Sequence, residues 1–322
     1  MKVMVVGDPH CTVRNIEEAE KLFRFIYEQA NLYEVDHVEL LGDLNHNHAV
    51  IRMEVKHFWE TTFKKFESVS TWAIVGNHDQ IGNREKEQQM NSLTGLGCTV
   101  ISRPTIHNNI AYIPYMSDHA AFLTAAQDLY DRGATKLLVA HQTFTGATYE
   151  NGFYAEDGID PALVPQEAII SGHIHKQQQI GKCFYPGTAK WDSMADANED
   201  KGIWIFEHNS DGSIKSKQFI STKDAVTPIV KHTFNEGDRE VELNDKAKNY
   251  IELVGSTAWI TLMKKKYKGL AAIKARPTDR KHVSVDKDKI FSMVDYLDTV
   301  FKPIDGVTRE DIKGYLNEVL GG

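Results

Sequence analysis

The 322 residues are enough for one large core and a smaller module. The chain is 41% apolar and 25% charged, an ordinary globular balance, and no apolar run approaches the about 20 residues needed to span a membrane as a helix. The net charge of -8 argues against a broadly nucleic-acid-binding surface, and Cys11, Cys98 and Cys183 are too few and too far apart for a disulfide framework.

Residues 3–6 are β-branched and continuously apolar, as in a short buried strand, and Asp8-Pro9-His10 follows them. This N-terminal run is too short for the core of an export signal, so a reducing cytoplasm is expected (a host cytoplasm if the source is viral). Asn15 with Glu18 has the form of a capping box. Ile16, Ala19, Leu22, Phe23, Ile26, Ala30 and Tyr33 then recur at helical spacing. Residues 37–41 give a second strand ending in Gly42-Asp43. A helix is expected over about 50–66, burying Met53, Phe58, Trp59, Phe63 and Phe66. Residues 71–75 give a third strand, ending in Gly76-Asn77-His78-Asp79. Strands alternating with helices predict a helix-covered sheet, whose sites usually lie just past the strand ends.

Further strands are expected at 111–115 and 136–140, the latter running into His141, with a helix over 118–132 between them. Residues 142–165 read as a long loop, in which Tyr149, Phe153 and Tyr154 either line a substrate groove or pack locally. Residues 168–171 end in Gly172-His173-Ile174-His175, and strands at 182–185, 202–207 and 213–220 suggest an antiparallel return. Near residue 221 the character changes. A small α+β module is expected over 222–285, with strands at 239–243 and 249–254 and a helix over 258–267. Two amphipathic helices are expected over 286–322, which leaves 1–221 as the catalytic domain.

Asp8, His10, Asp43, Asn77, His78, His141, His173 and His175 all follow apolar runs. If the strands lie side by side, these residues gather along one edge. Carboxylate, imidazole and amide oxygen together suit Mn²⁺, Fe²⁺ or Zn²⁺. So many ligands exceed the needs of one ion and suit two, about 3.5–4 Å apart, sharing a bridging carboxylate. Asp43, alone after its strand, is the natural bridge. A hydroxide held between the ions would attack phosphorus without a serine or cysteine nucleophile.

At these residues the chain resembles the calcineurin-like metallophosphoesterase superfamily. The resemblance implies a four-layer α-β-β-α sandwich with a small capping module. It assigns Asp8, His10, Asp43 and His175 to one metal and Asp43, Asn77, His141 and His173 to the other. His78 matches the histidine that stabilises the transition state or protonates the leaving group. Within the superfamily, Gly42-Asp43-Leu44-Asn45-His46, the Gly172–His175 motif with Lys176-Gln177-Gln178, Tyr185-Pro186-Gly187-Thr188 and Glu199-Asp200-Lys201-Gly202 resemble the SbcD-type DNA-repair nuclease subunit. So does the order of parts.

That closer resemblance implies a DNA exonuclease and endonuclease with two ions, Mn²⁺ foremost, and His46 as a second active-site histidine. It also implies a homodimer and an SbcC-like ATPase partner docked on residues 286–322. Lys264, Lys265, Lys266 and Lys268 could grip a DNA backbone, with Tyr267 stacking on a base; the alternative is a solvated helix face. The other functional reading is a phosphatase or phosphodiesterase for small nucleotides or phosphoproteins.

Overall fold

The computed structural model describes residues 1–279, apart from 49, 67, 82–90 and 240–241; residues 286–322 and the docking role expected of them lie outside the described set. In chain order, β1 (Lys2–Val6), α1 (Ile16–Leu32), β2 (His37–Leu40), α2 (Met53–Lys65), β3 (Ser70–Ile74) and β4 (Thr99–Ile101) are followed by β5 (Thr105–His107), β6 (Ile110–Ile113), α3 (His119–Asp131), β7 (Leu137–His141), β8 (Ala168–Gly172), β9 (Gln178–Ile180) and β10 (Cys183–Tyr185). β11 (Gly202–His208) and β12 (Ile214–Ser221) complete the larger part.

These strands form two six-stranded sheets, ordered β12-β11-β1-β2-β3-β4 and β5-β6-β7-β8-β10-β9. Strand alternation decides which side chains face where. Val3 and Val5 of β1 point into the layer between the sheets, against Tyr112, Val139 and Ile170. Met4 and Val6 point outward beneath Leu22, Phe23 and Ile26 of α1 and Trp59 of α2. α3 covers the second sheet through Phe122, Ala126 and Leu129. The result is the four-layer α-β-β-α sandwich. β1, β2 and β3 are mutually parallel, as are β6, β7 and β8, while β11 returns antiparallel beside β1.

Several local expectations are corrected. The capping box does not form: the Asn15 side chain accepts from Thr12 N at 2.7 Å and donates to the His10 carbonyl at 3.0 Å, bracing the turn that carries His10. Glu18 instead accepts from Thr227 N and its hydroxyl, tying α1 to the small module. Met53 is 71% exposed, because α2 begins there and its inner face starts at Val55. In the small module, β13 (Ile229–Asn235), β14 (Lys248–Gly255) and β15 (Ala272–Pro277) make a parallel sheet, with α4 (Thr257–Lys266) crossing between the last two. This is a βαβ arrangement rather than α+β. Arg239, Glu242 and Leu243, placed in a strand by the sequence, lie outside regular structure.

Glu39 is a buried carboxyl on the inner face of β2, paired with Val5 and Trp72 in register. Burial drives its pKa up to about 8, and the facing Tyr112 hydroxyl offsets only part of that. Between about pH 4.5 and 8 the unfolded chain releases this proton while the folded chain keeps it, so stability falls as pH rises through that window. The full difference is on the order of 5 kcal/mol. Glu39→Gln is therefore expected to raise the melting temperature at pH 8 and to flatten its decline between pH 5 and 8. Melting curves across that range check this; an unchanged slope would show that Glu39 is already ionised in the fold.

Candidate metal centre and active site

The polar strand ends of both sheets meet along one edge. After β1 and β2 the chain keeps pairing beyond the strands: His10 N donates to the Asp43 carbonyl at 2.9 Å and Cys11 N to the Leu44 carbonyl at 2.8 Å. This sets His10 beside Asp43. Two bonds stitch the sheets together at the same level. His173 N donates to Asp8 Oδ2 at 2.8 Å, and His141 Nδ1 lies 2.7 Å from the Leu41 carbonyl.

The backbone is bent to make the cluster. His10, Asp43 and His173 have φ of 44°, 50° and 84°, a left-handed region that non-glycine residues seldom occupy. Such strain collects at functional sites, where surrounding contacts hold it. Gly76 permits the closest approach. A Cβ there would stand 2.2 Å from Asp43 Oδ1, so any larger residue would displace the carboxylate. Asp79 is fully buried and accepts from Gly76 N, Leu44 N and Asn45 N at 3.1–3.3 Å. It clamps the turn carrying Asp43 to the turn carrying Asn77.

Two donor groups share Asp43. Its Oδ2 lies 3.7 Å from His10 Nε2 and 3.4 Å from His141 Nε2. On one side, His10 Nε2 is 2.9 Å from His175 Nε2. On the other, Asn77 Oδ1 is 3.0 Å from His141 Nε2 and 2.8 Å from His173 Nδ1, and those two nitrogens are 3.2 Å apart. The structure thus brings Asp8, His10, Asp43, Asn77, His141, His173 and His175 together.

The electrostatics fit divalent-cation binding. Asp8 Oδ1 is buried with no hydrogen-bond partner, and burial raises its pKa, with Asp43 adding to the effect. Burial lowers His173 to about 3 and His10 well below the ordinary imidazole value, which leaves lone pairs free to ligate. Burial works against protonating His141 too, but Asp43 and Asp8 outweigh it and push the ring up to about 9. Its Nδ1 proton belongs to the Leu41 carbonyl, so the second proton on Nε2 stands where a cation's charge would go and would leave on metal binding. Asp43 is held well below the carboxylate range: burial opposes ionisation, but His141, His10 and His78 overcome it.

His78 stands at the rim. Its backbone N–H donates to Asp43 Oδ1 at 2.8 Å, and its Nδ1 lies 2.5 Å from the His46 carbonyl. Residue 46 therefore steers His78 through its backbone, while the exposed His46 ring lies 5.4 Å from the His10 ring and 5.8 Å from that of His78. His10, His46 and His78 also bring ring nitrogens within 4.8 Å of one another. That trio has no carboxylate to balance a dication, and one His78 nitrogen is already engaged, so the groups around Asp43 are the better metal sites. His48, passed over in the sequence reading, packs 3.8 Å from the His78 ring and lies 3.1 Å from the Asn77 carbonyl. Its closeness to His46 in the chain was the one available signal.

The nucleic-acid residues fare differently. Lys264, Lys265 and Lys266 form the last turn of α4, where positive charge complements the helix dipole, and Lys268 follows; all four are exposed. Tyr267 is 5% exposed and stacked against Phe234 in the module's own core, so it is not available to a base.

Comparison with known proteins agrees with this geometry. The family profile of calcineurin-like phosphoesterases matches residues 1–177. Two viral proteins, both carrying the name phosphoesterase, are similar: 078R of Invertebrate iridescent virus 3 is 26% identical over 201 residues, and 244L of Invertebrate iridescent virus 6 is 27% identical over 221 residues. The alignments cover 59% and 65% of this chain; they span 57% of the first relative and 76% of the second. With the matched segment taking in more than half of the chain and ending just past His175, the last of the clustered ligands, the protein belongs to the calcineurin-like phosphoesterases.

Proposed function

We propose that this metal-dependent phosphoesterase hydrolyses phosphodiester bonds in DNA, with two divalent ions, Mn²⁺ foremost. The observation that carries the reading is the convergence of six other donors around Asp43 with His78 poised over them. Asp8, His10, Asp43 and His175 would hold one ion, and Asp43, Asn77, His141 and His173 the other. When bound, such ions polarise a phosphate and make water nucleophilic at neutral pH. The chain's own part is proton handling and placement. The His46 carbonyl fixes His78 Nδ1, so Nε2 is the atom that exchanges a proton with the departing oxygen.

DNA is favoured by the histidine-rich rim of His46, His48 and His78 and by exposed Lys264, Lys265, Lys268 and Lys274. The reading extends to an ATPase of the SbcC type docked through residues 286–322, a homodimer and a cytoplasmic setting; no helix among the described residues is long and apolar enough to cross a membrane. Burial of Tyr267 favours the second reading, a phosphodiesterase or phosphatase for small nucleotides or phosphoproteins. The test offers end-labelled duplex DNA, single-stranded DNA and bis(p-nitrophenyl) phosphate with Mn²⁺. Metal-dependent cleavage of both DNAs is expected. Turnover of the small ester with both DNAs intact would establish the second reading instead.

A further inference from the structure

His175 is the most heavily braced of the clustered histidines. Glu150 Oε1 accepts from its backbone N at 3.0 Å and lies 3.3 Å from its ring Nδ1. The His175 carbonyl accepts from Lys201 Nζ at 2.9 Å and from Thr188 N at 3.0 Å. Lys201 is itself buried and paired with Asp196 at 2.7 Å and Glu199 at 3.1 Å. Donor, acceptor and ring are all committed, and only Nε2 faces the centre, 2.9 Å from His10 Nε2.

Glu150 reaches His175 from the long loop after β7, and that loop is itself clamped. Gln178 accepts from Thr148 N and donates to the Thr148 carbonyl, both at 2.7 Å. Tyr149 N bonds the Phe153 carbonyl and Gly152 N the Tyr149 carbonyl, both at 2.9 Å, closing a tight turn around residue 150. The carboxylate is thus carried on a fixed arm. Its Oε1 stands at ion-pair distance from His175 Nδ1, on the far side of the ring from the centre, which favours the proton on Nδ1 and leaves the Nε2 lone pair facing inward as a ligand.

We propose that Glu150 is a positioning residue for one half of the metal centre. It sets the affinity of the ion held by Asp8, His10, Asp43 and His175 and leaves the ion held by Asp43, Asn77, His141 and His173 unaffected. The two halves differ in this respect. His141 gains its orientation from the Leu41 backbone carbonyl, which no side-chain substitution removes, whereas His175 depends on a side chain from a distant loop.

This inference rests on the two-ion reading, and the test separates the two. Mn²⁺ binding to the full-length protein is measured by calorimetry and by the electron paramagnetic resonance spectrum, which distinguishes a coupled pair from a lone ion. The wild type is expected to bind two coupled ions. In Glu150→Ala one ion is expected to weaken about 10-fold to 100-fold, so that limiting Mn²⁺ gives the spectrum of a lone ion. Glu150→Gln, which still offers an acceptor oxygen, is expected to restore the coupled spectrum. Glu150→Asp, which withdraws the oxygen by one methylene, is expected to behave as alanine does and keeps the test alive if alanine misfolds. Wild-type affinity for both ions in the alanine and aspartate variants, or equal weakening of both ions, would overturn the role of Glu150 and leave the two-ion reading standing. A wild type that binds fewer than two ions would overturn the two-ion reading itself.

Discussion

Asp43→Asn is expected to abolish the metal-dependent rise in melting temperature and to cut phosphoesterase turnover roughly a thousandfold or more. The reason is position. Among the carboxylates of the described residues, Asp43 alone has an oxygen, Oδ2, within 4 Å of a candidate ligand nitrogen in each donor group, His10 on one side and His141 on the other. Its second oxygen holds the His78 backbone. Asparagine keeps the shape and can keep the bond from His78 N, so the loop around residue 78 is expected to stay in place. The charge is lost, and with it the attraction that pushes His141 up to about 9 and that would balance two dications. A ligand that binds only the folded state stabilises it in proportion to the logarithm of its concentration over Kd, about 2.7 kcal/mol at a hundredfold excess. Wild-type melting temperature should therefore climb with added Mn²⁺, and that of Asp43→Asn should not. A variant that still responds to Mn²⁺ as the wild type does would show that Asp43 bridges nothing.

His78→Ala should separate chemistry from metal binding. Turnover is expected to fall by about 10²- to 10⁴-fold, the usual worth of a positioned acid or base, while the Mn²⁺-dependent stabilisation is retained. The geometry supports the split, because one His78 nitrogen is engaged by the His46 carbonyl and the seven clustered donors are complete without the ring. The loss should depend on the leaving group. Nitrophenolate departs without protonation, whereas the alkoxide of a sugar needs a proton. The fall should therefore be largest for DNA or an alkyl ester and smallest for bis(p-nitrophenyl) phosphate. Equal losses on both would remove His78 from the proton-transfer role and leave it a charge-stabilising or structural one. His46→Ala should be milder than His78→Ala, since residue 46 reaches His78 through its carbonyl, which survives the substitution.

Much of the protein could be read from its sequence because the signal there is local. Short apolar runs closed by Gly-Asp, Gly-Asn-His-Asp and Gly-His-Ile-His announce strands with ligands at their ends, since a buried strand needs apolar side chains on both faces and its end needs a turn. The helices at 16–32 and 119–131 announce themselves through one apolar face at 3.6-residue spacing. Asp8, His10, Asp43, Asn77, His78, His141, His173 and His175 are named by these patterns alone.

What the tertiary structure decided is whatever depends on partners far along the chain. Strands of three residues such as β4, β5 and β9 carry too little pattern to stand out, and sheet pairing selects them. Asn15 and Glu18 look like a helix cap in sequence, but the turn at His10 and Thr227 of the small module offer them better partners. Tyr267 looks like a base-stacking residue beside lysines, but the module is small and takes the ring for its own core. Glu150 carries no signal at all: it lies 25 residues from His175 in a loop, and only the folding of that loop over the sheet edge makes the two neighbours. The sequence determined which chemical groups the protein brings to phosphorus. The fold decided which nitrogen of each histidine faces inward, because that depends on the hydrogen bond made by the other nitrogen, with a partner that no local spacing encodes.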